Sequence, residues 1–317
     1  MARIFSTPAP GAPPPGDGLS ALPGEAPALV LPGGPDGGVA EVFARRAGRL
    51  RALAEGHPLG GFLALAADLC AAQQAAVAGG AVSGEGARLE LLLAVLSEMA
   101  NVAMPAEARA ALGRLRSASA GELAALAASL FDGPPKPEKA EDLAAAPFLG
   151  AALQAWWTLR AAALPSTEAR RHGSGCPVCG SLPVAGVVRS GRGLRYLHCS
   201  LCGAQWHIPR LTCANCGATD ALSYFTLQGG GADEGEGGDG AAGKAGVAEG
   251  AASAAETAKG VKTEACARCH GYLKLFYLEE VPAAEPMADD LATLALDILT
   301  EAQGYARLSR NLFLPQA

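Results

Sequence analysis

The chain has 317 residues, half of them apolar, only 5% aromatic, and a net charge of −6. That length accommodates about two domains, and the abundance of small apolar residues favours closely packed helices over a bulky β core. The acidic balance and the lack of a long basic run exclude the electrostatic footprint of a nucleic-acid or anionic-membrane binder.

Residues 1–37 are rich in Pro and Gly without a period and are expected to be a disordered extension. They contain no apolar stretch of signal-peptide type, so the nine cysteines are expected in the reducing cytoplasm, free or metal-bound. Residues 38–165 read as a helical domain. The first helix places Val39, Val42, Phe43, Ala47 and Leu50 near one face, with Arg45, Arg46, Arg49 and Arg51 largely elsewhere. Further helices are predicted near 61–78, 87–100, 106–115, 121–130 and 140–163, with Ser119 or Gly121 opening the fifth and the Pro-rich 132–139 segment preceding the sixth. Two apolar runs, 61–82 and 89–104, invite comparison with a membrane span. The first carries Asp68 and two glutamines, and the second is too short and holds Glu90 and Glu98. Both read as buried helices, with no membrane insertion, and Cys70 reads as a small core residue.

At Pro165 the pattern changes. Short runs rich in β-branched and aromatic residues appear at 183–188, 194–198, 222–227 and 272–278, which makes the chain α+β. A first metal module is expected over 166–210 and a second over 211–282. The second is interrupted by a flexible Gly/Ala/acidic insertion at 229–260, with six acidic and two basic residues. Residues 283–317 are expected to hold one C-terminal helix, capped by Asp289-Asp290, with Leu291, Leu294, Ala295, Ile298 and Leu299 along its buried face and Gly304 at its end.

Chemistry concentrates in four Cys-x-x-Cys pairs: Cys176/Cys179, Cys199/Cys202, Cys213/Cys216 and Cys266/Cys269. A tetrahedral divalent ion takes four soft donors, and a two-residue spacing lets one tight turn deliver two of them. Such turns often need a residue at positive φ; Gly180, Gly203 and Gly217 directly follow three pairs, and Gly271 follows the fourth after His270. Eight cysteines make two complete sites. Strand–turn–strand segments after Cys179 and Cys216 return the chain to its starting level, so sequential pairing is expected, with interleaved pairing the alternative. The insertion then forms the tip of the second hairpin; lengthening a tip from about 5 to about 33 residues costs only about 1.7 kcal/mol.

A disulfide framework requires an oxidising compartment, and a thioredoxin-type pair is normally single and opens a helix. His172, His198, His207 and His270 are read as neighbours of the sites rather than ligands, and Trp206 as packing over the first site. Four thiolates around a divalent ion leave a charge of −2. Between Pro165 and Leu227 six arginines face Glu168 and Asp220, and Arg195 and Arg210 are the expected counter-charges.

The segments CPVCGSLPVAGVV, LRYLHCSLCGAQWHIPRLTCANCG, CARCHGYLK and ADDLATLALDILTEAQGYARLSRNLF, together with RRAGRLRALAEGHPLGGFLALAADLCAAQQ, resemble the FdhE family of formate dehydrogenase accessory proteins. The resemblance covers most of residues 39–314. It implies a helical N-terminal domain, two rubredoxin-like or zinc-ribbon modules, and a cytoplasmic role in forming active formate dehydrogenase through contact with its catalytic subunit. It also implies iron, although the ligands allow zinc equally. It supplies no catalytic residue; only the eight cysteines match as ligands. The N-terminal extension and the 229–260 tract depart from the family pattern without removing a ligand. Competing readings are a zinc-ribbon nucleic-acid binder, opposed by the acidic charge, and a rubredoxin-like redox protein. Metal hydrolysis is disfavoured because closed four-cysteine sites leave no open position.

Overall fold

The computed structural model describes residues 28–33, 38–79, 86–131, 143–165, 174–191, 193–227 and 259–314. Most of the N-terminal extension, the 132–139 segment, His172, Arg170, Arg171, Arg192 and all but the last two residues of the 229–260 tract lie outside these.

Among the described residues, six helices form the first layer: Val39–Ala54 (α1), Gly60–Ala78 (α2), Ala87–Glu98 (α3), Ala106–Ser117 (α4), Ala120–Phe131 (α5) and Ala146–Ala162 (α6). Apolar side chains from all six meet in one core containing Phe43, Leu50, Leu63, Leu91 and Phe148. The many alanines of α2 and α6 let these backbones approach closely. Gly150 of α6 also lies close to the C-terminal tail: a Cβ there would lie 2.7 Å from the Leu312 carbonyl oxygen. Helix α2 is long and apolar enough to cross a bilayer, but Leu63, Ala66, Ala67, Leu69 and Cys70 are buried in the core. Helix α5 opens at Ser119, as one of the two expected starts: the Ser119 hydroxyl accepts from the Glu122 N–H while a Glu122 carboxylate oxygen accepts from the Ser119 N–H, a reciprocal cap.

The second layer is one sheet to which both four-cysteine modules contribute. Its strands are Leu29–Val30 (β1), Pro183–Val188 (β2), Arg195–Cys199 (β3), Gln205–His207 (β4), Leu222–Phe225 (β5), Val261–Cys266 (β6) and Gly271–Tyr277 (β7), in the order β1-β4-β3-β2-β7-β6-β5. Each module supplies an antiparallel triplet, and a parallel β2–β7 pairing, Ala185 opposite Lys274, fuses them. The extension expected to be loose through residue 37 contributes β1, with Leu29 opposite Trp206.

The C-terminal region departs furthest from expectation. The single expected helix is two, Pro286–Ala292 (α7) and Leu294–Ala302 (α8), followed by Ala306–Arg307 (β8), which pairs with β7. Glu285, not Asp289 or Asp290, caps α7, accepting from the Ala288 N–H at 2.8 Å. Both aspartates are buried instead, because each meets a cation: Asp289 takes the Arg49 guanidinium through both oxygens, and Asp290 takes Lys274 and Arg307. Thr293 breaks the run. In a continuous helix the Asp290 carbonyl would accept from residue 294; here it accepts from the buried Lys274 ammonium at 2.7 Å. The break rotates the following face, so Ile298 and Leu299, expected inside, are 69% and 52% exposed. Helix α7 is wedged between the layers, giving Ala288 and Leu291 to the helical core and Met287 to the sheet.

The expectation that α1 keeps its arginines outside also fails at Arg46, which is fully buried. It binds the Glu285 carboxylate at 3.0 Å and the Gln154 side-chain oxygen at 2.6 Å, and Gln154 reaches the Ser200 carbonyl beside the first cysteine turn.

Candidate metal centres

Each Cys-x-x-Cys pair lies in a tight turn; Cys199 ends β3 and Cys266 ends β6, while the other two pairs precede β2 and β5. In the first, the Gly180 N–H donates to the Cys176 carbonyl and the Cys176 N–H to the Ser181 carbonyl, with Gly180 at φ +80°. Gly203 (+72°) and Gly217 (+73°) repeat this after Cys199 and Cys213. The fourth turn is different. His270 itself occupies the left-handed region at φ +53°, donating to the Cys266 carbonyl. Gly271, expected to relieve that turn, is needed for space: a Cβ there would meet a Leu308 methyl at 2.4 Å.

The turns bring the eight sulfurs into two groups, Cys176, Cys179, Cys199 and Cys202, and Cys213, Cys216, Cys266 and Cys269, each with all four Sγ atoms within 4.8 Å of one another. The grouping is sequential along the chain. Short approaches are 3.5 Å for Cys176–Cys202, 3.4 Å for Cys179–Cys199, and 3.7 Å for both Cys213–Cys269 and Cys216–Cys266. Disulfides need sulfurs about 2.05 Å apart, and all nine cysteines are free thiols. A tetrahedral ion with sulfur ligands at about 2.3 Å sets its ligands about 3.8 Å apart, so both groups fit one. Histidines enter neither group among the described residues.

Backbone dipoles favour charge on these sulfurs. The N–H groups of Val178, Cys202 and Asn215 point at the sulfurs of Cys176, Cys199 and Cys213, each at 3.4 Å. Four crowded thiols cannot all ionise by themselves. Hydrogen bonding from Cys176, then from Cys199 and Cys202, holds Cys179 far below the ordinary thiol range, whereas burial first and neighbouring sulfurs second push Cys199 well above it. In the second group the bond to Cys213 brings Cys269 down to about 4, and Cys213 rises through that same bond and its burial. A divalent cation removes the conflict by accepting all four thiolates.

The arginines expected to offset this charge are placed otherwise. Arg195 is 1% exposed and binds Glu264 at 2.6 Å, so its charge is already matched. Arg210 is exposed, and its carbonyl accepts from Arg195. The electrostatic support at the sulfurs therefore comes from peptide N–H groups. Trp206 is buried among Cys176, Cys199 and Cys202, as packing. His198 is also buried, and burial, then Arg46 and Arg45, bring it down to about 3, so it stays neutral. Two hollows of about 400 and 240 Å3 are lined only by residues of the helical domain.

Sequence reading missed the network behind the sheet. Lys274 lies between Asp290 (2.9 Å) and Asp297 (2.7 Å), Arg307 reaches both, and Tyr272 donates to Asp297 at 2.9 Å. Its available signal was a lysine at the centre of the otherwise apolar strand YLKLFY.

A helical core supporting one sheet with two four-thiol centres at its end defines an α+β protein suited to binding two metal ions. Family models described as "FdhE, N-terminal", "FdhE, central domain" and "FdhE, C-terminal domain" match residues 37–88 and 80–174, 175–210 and 245–314. The chain belongs to the FdhE family. It is 39% identical over 314 residues to a protein FdhE homolog of Pseudomonas aeruginosa, covering 86% of this chain and 90% of that one. With the homolog of Cronobacter sakazakii it shares 35% identity over 302 residues, 86% of this chain and 88% of the relative. The crystal structure of the FdhE protein from Pseudomonas aeruginosa superposes with a TM-score of 0.70 at 36% identity, covering 91% of this chain and 99% of that one.

Proposed function

We propose that this chain is a non-enzymatic, cytoplasmic accessory factor that binds the catalytic subunit of formate dehydrogenase and is needed to form the active enzyme. Cys176, Cys179, Cys199 and Cys202 hold one metal ion, and Cys213, Cys216, Cys266 and Cys269 hold a second. The observation carrying this reading is the pair of four-sulfur groups with tetrahedral spacing in a chain of the FdhE family. Four sulfurs fill the coordination of each ion, which leaves no position for a substrate or an activated water and favours scaffolding over hydrolysis. An iron ion in either site supplies one-electron chemistry; zinc supplies none. The chain's own contribution is to fix the sulfurs and aim peptide N–H groups at them.

Elemental analysis and visible absorption of anaerobically purified protein are expected to give two equivalents of metal and to identify it. Co-purification with a tagged formate dehydrogenase catalytic subunit is expected under the same conditions. Less than one equivalent of metal would remove the site assignment, and consistent failure to retain the catalytic subunit would remove the partner.

A further inference from the structure

The two four-sulfur groups sit at the same end of one sheet but are not equivalent. Cys199 ends β3 and Cys266 ends β6, with β2 and β7 between them. Three strand spacings put these two positions roughly 14 Å apart. In the first group Cys176, Cys199 and Cys202 are buried, packed with Leu197, Trp206 and Leu273 from the sheet, Leu308 just after β8 and Ala161 from α6, while Cys179 is part-exposed. Pro32 and Thr158 close over the Gly203 turn. Four separate stretches of chain thus pack around the first group and leave only Cys179 of its four cysteines part-exposed. Among the described residues the second has Ala218, Ala221 and Leu222 as its apolar cluster besides its own sulfurs, and Cys216 and Cys269 are part-exposed. Its rim carries Arg268, whose side chain is 57% exposed, and Leu211, 65% exposed.

One side chain joins the two. Arg195 stands on β3 four residues before Cys199 and crosses the sheet face with its guanidinium fully buried. Nη2 donates to Glu264 at 2.6 Å, two residues before Cys266. Nη1 donates to the carbonyls of Thr212 at 2.9 Å and Arg210 at 3.3 Å, on the loop entering Cys213. The other Glu264 oxygen accepts from the Tyr224 hydroxyl at 3.1 Å. Both chain segments that deliver sulfurs to the second group are therefore held from the strand that delivers Cys199 to the first. Two guanidinium nitrogens, Nη1 and Nη2, make these contacts in diverging directions, which a lysine ammonium, a point charge without that fork, does not reproduce.

On the basis of the metal-site reading above, we propose that the centres form a ranked pair: the first retains its ion, the second exchanges its ion with solvent, and Arg195 is the positioning residue that sets the second centre's lifetime. Exchange follows access, because a competing chelator must reach a sulfur–metal bond, and the second centre has two part-exposed cysteines, Cys216 and Cys269, under sparse apolar cover, against Cys179 alone in the first. Arg195 acts through geometry, keeping the loop 210–212 and the end of β6 at the separation that four sulfurs require.

The test uses the full chain loaded with two equivalents of zinc and challenged with an excess of a chromogenic chelator. Release is expected in two phases of one equivalent each, separated by at least about 10-fold in rate. Alkylating the thiols as the fast phase ends, then mapping the peptides by mass, is expected to label Cys213, Cys216, Cys266 and Cys269 while sparing the first four. Arg195→Lys and Glu264→Gln are expected to speed the fast phase by about 10-fold, leaving the slow phase and the Trp206 fluorescence unchanged. Those two controls report that the sheet is still folded. Release of both equivalents in one phase, early labelling of Cys176 to Cys202, or equal acceleration of both phases by Arg195→Lys would overturn the ranking. A protein that never takes up two equivalents would instead overturn the metal assignment beneath it.

Discussion

Lys274 carries its charge to a position with no solvent contact, where Asp290, Asp297 and the Thr293 hydroxyl surround it. Two cations and two carboxylates balance there, and the remaining oxygens are taken by Tyr272 and Asn311. Removing one member leaves an uncompensated buried charge, the costly way to break such a group. Lys274→Met is expected to lower unfolding free energy by about 3–5 kcal/mol, measured by denaturant titration of the reduced, metal-loaded protein. Burial alone would raise the Asp290 carboxyl, but Arg307 and then Lys274 outweigh it and hold the group below its ordinary range. A depressed folded value gives stability that is fully present above the unfolded carboxylate pKa of about 4 and is lost as pH falls through the folded value. Asp290→Asn is therefore expected to flatten the acid limb of a stability–pH profile below about pH 4. Cys70 is the inverse case, an apolar environment raising a thiol to about 12. It is expected to resist alkylation in the native protein and to react on unfolding, which mass spectrometry reads directly. Of these residues the sequence flagged Cys70 as core; it marked the Lys274 network only as a charge inside an apolar strand.

Among the elements, the tight turns followed most closely from the sequence. Glycines directly after Cys179, Cys202 and Cys216 announced left-handed residues, because only glycine takes that conformation without a steric penalty. The fourth turn shows the limit of the rule: His270 is the residue directly after Cys269 and takes the left-handed position itself, while Gly271 leaves room for Leu308. His270→Val is expected to cost about 1–2 kcal/mol and to loosen the second centre, while His270→Asn should be tolerated. Helix α6 and the C-terminal tail make a second close approach at Gly150, facing the Leu312 carbonyl. A backbone atom cannot rotate aside as a leucine methyl can, so Gly150→Ala is expected to destabilise by about 1–3 kcal/mol, seen as a lower melting temperature. The broken C-terminal helix was not legible, since its 3.6-residue pattern runs on through Thr293. At the break the Asp290 carbonyl is shared by a lysine from a strand and the Thr293 N–H, and local periodicity carries no record of that.

For the whole molecule, the helical core and the cysteine-bearing end of the sheet are separate clusters of buried residues, joined by α7 and by the Arg46–Glu285 and Arg49–Asp289 pairs. Metal binding and folding are linked wherever ligands assemble only in the folded state. Stripping metal with a chelator under reducing conditions is expected to expose Trp206 and shift its fluorescence, while most far-ultraviolet helical signal survives. Simultaneous loss of both signals would mean that the two layers fold as one unit.

The sequence by itself determined the helical first half, the four cysteine turns and the family, because spacing and turn chemistry are local properties written in neighbouring residues; hairpin logic favoured the sequential grouping over the interleaved one, and the structure decided it. Only the tertiary structure decided that the two modules share one sheet through β2 and β7, that Leu29–Val30 closes over the first centre, and that Asp289, Asp290, Arg46 and Arg195 are buried partners. Those outcomes depend on pairs far apart in the chain, such as Arg46 with Glu285 and Arg195 with Glu264. A charge is read as surface until its partner is placed beside it, and folding alone does the placing.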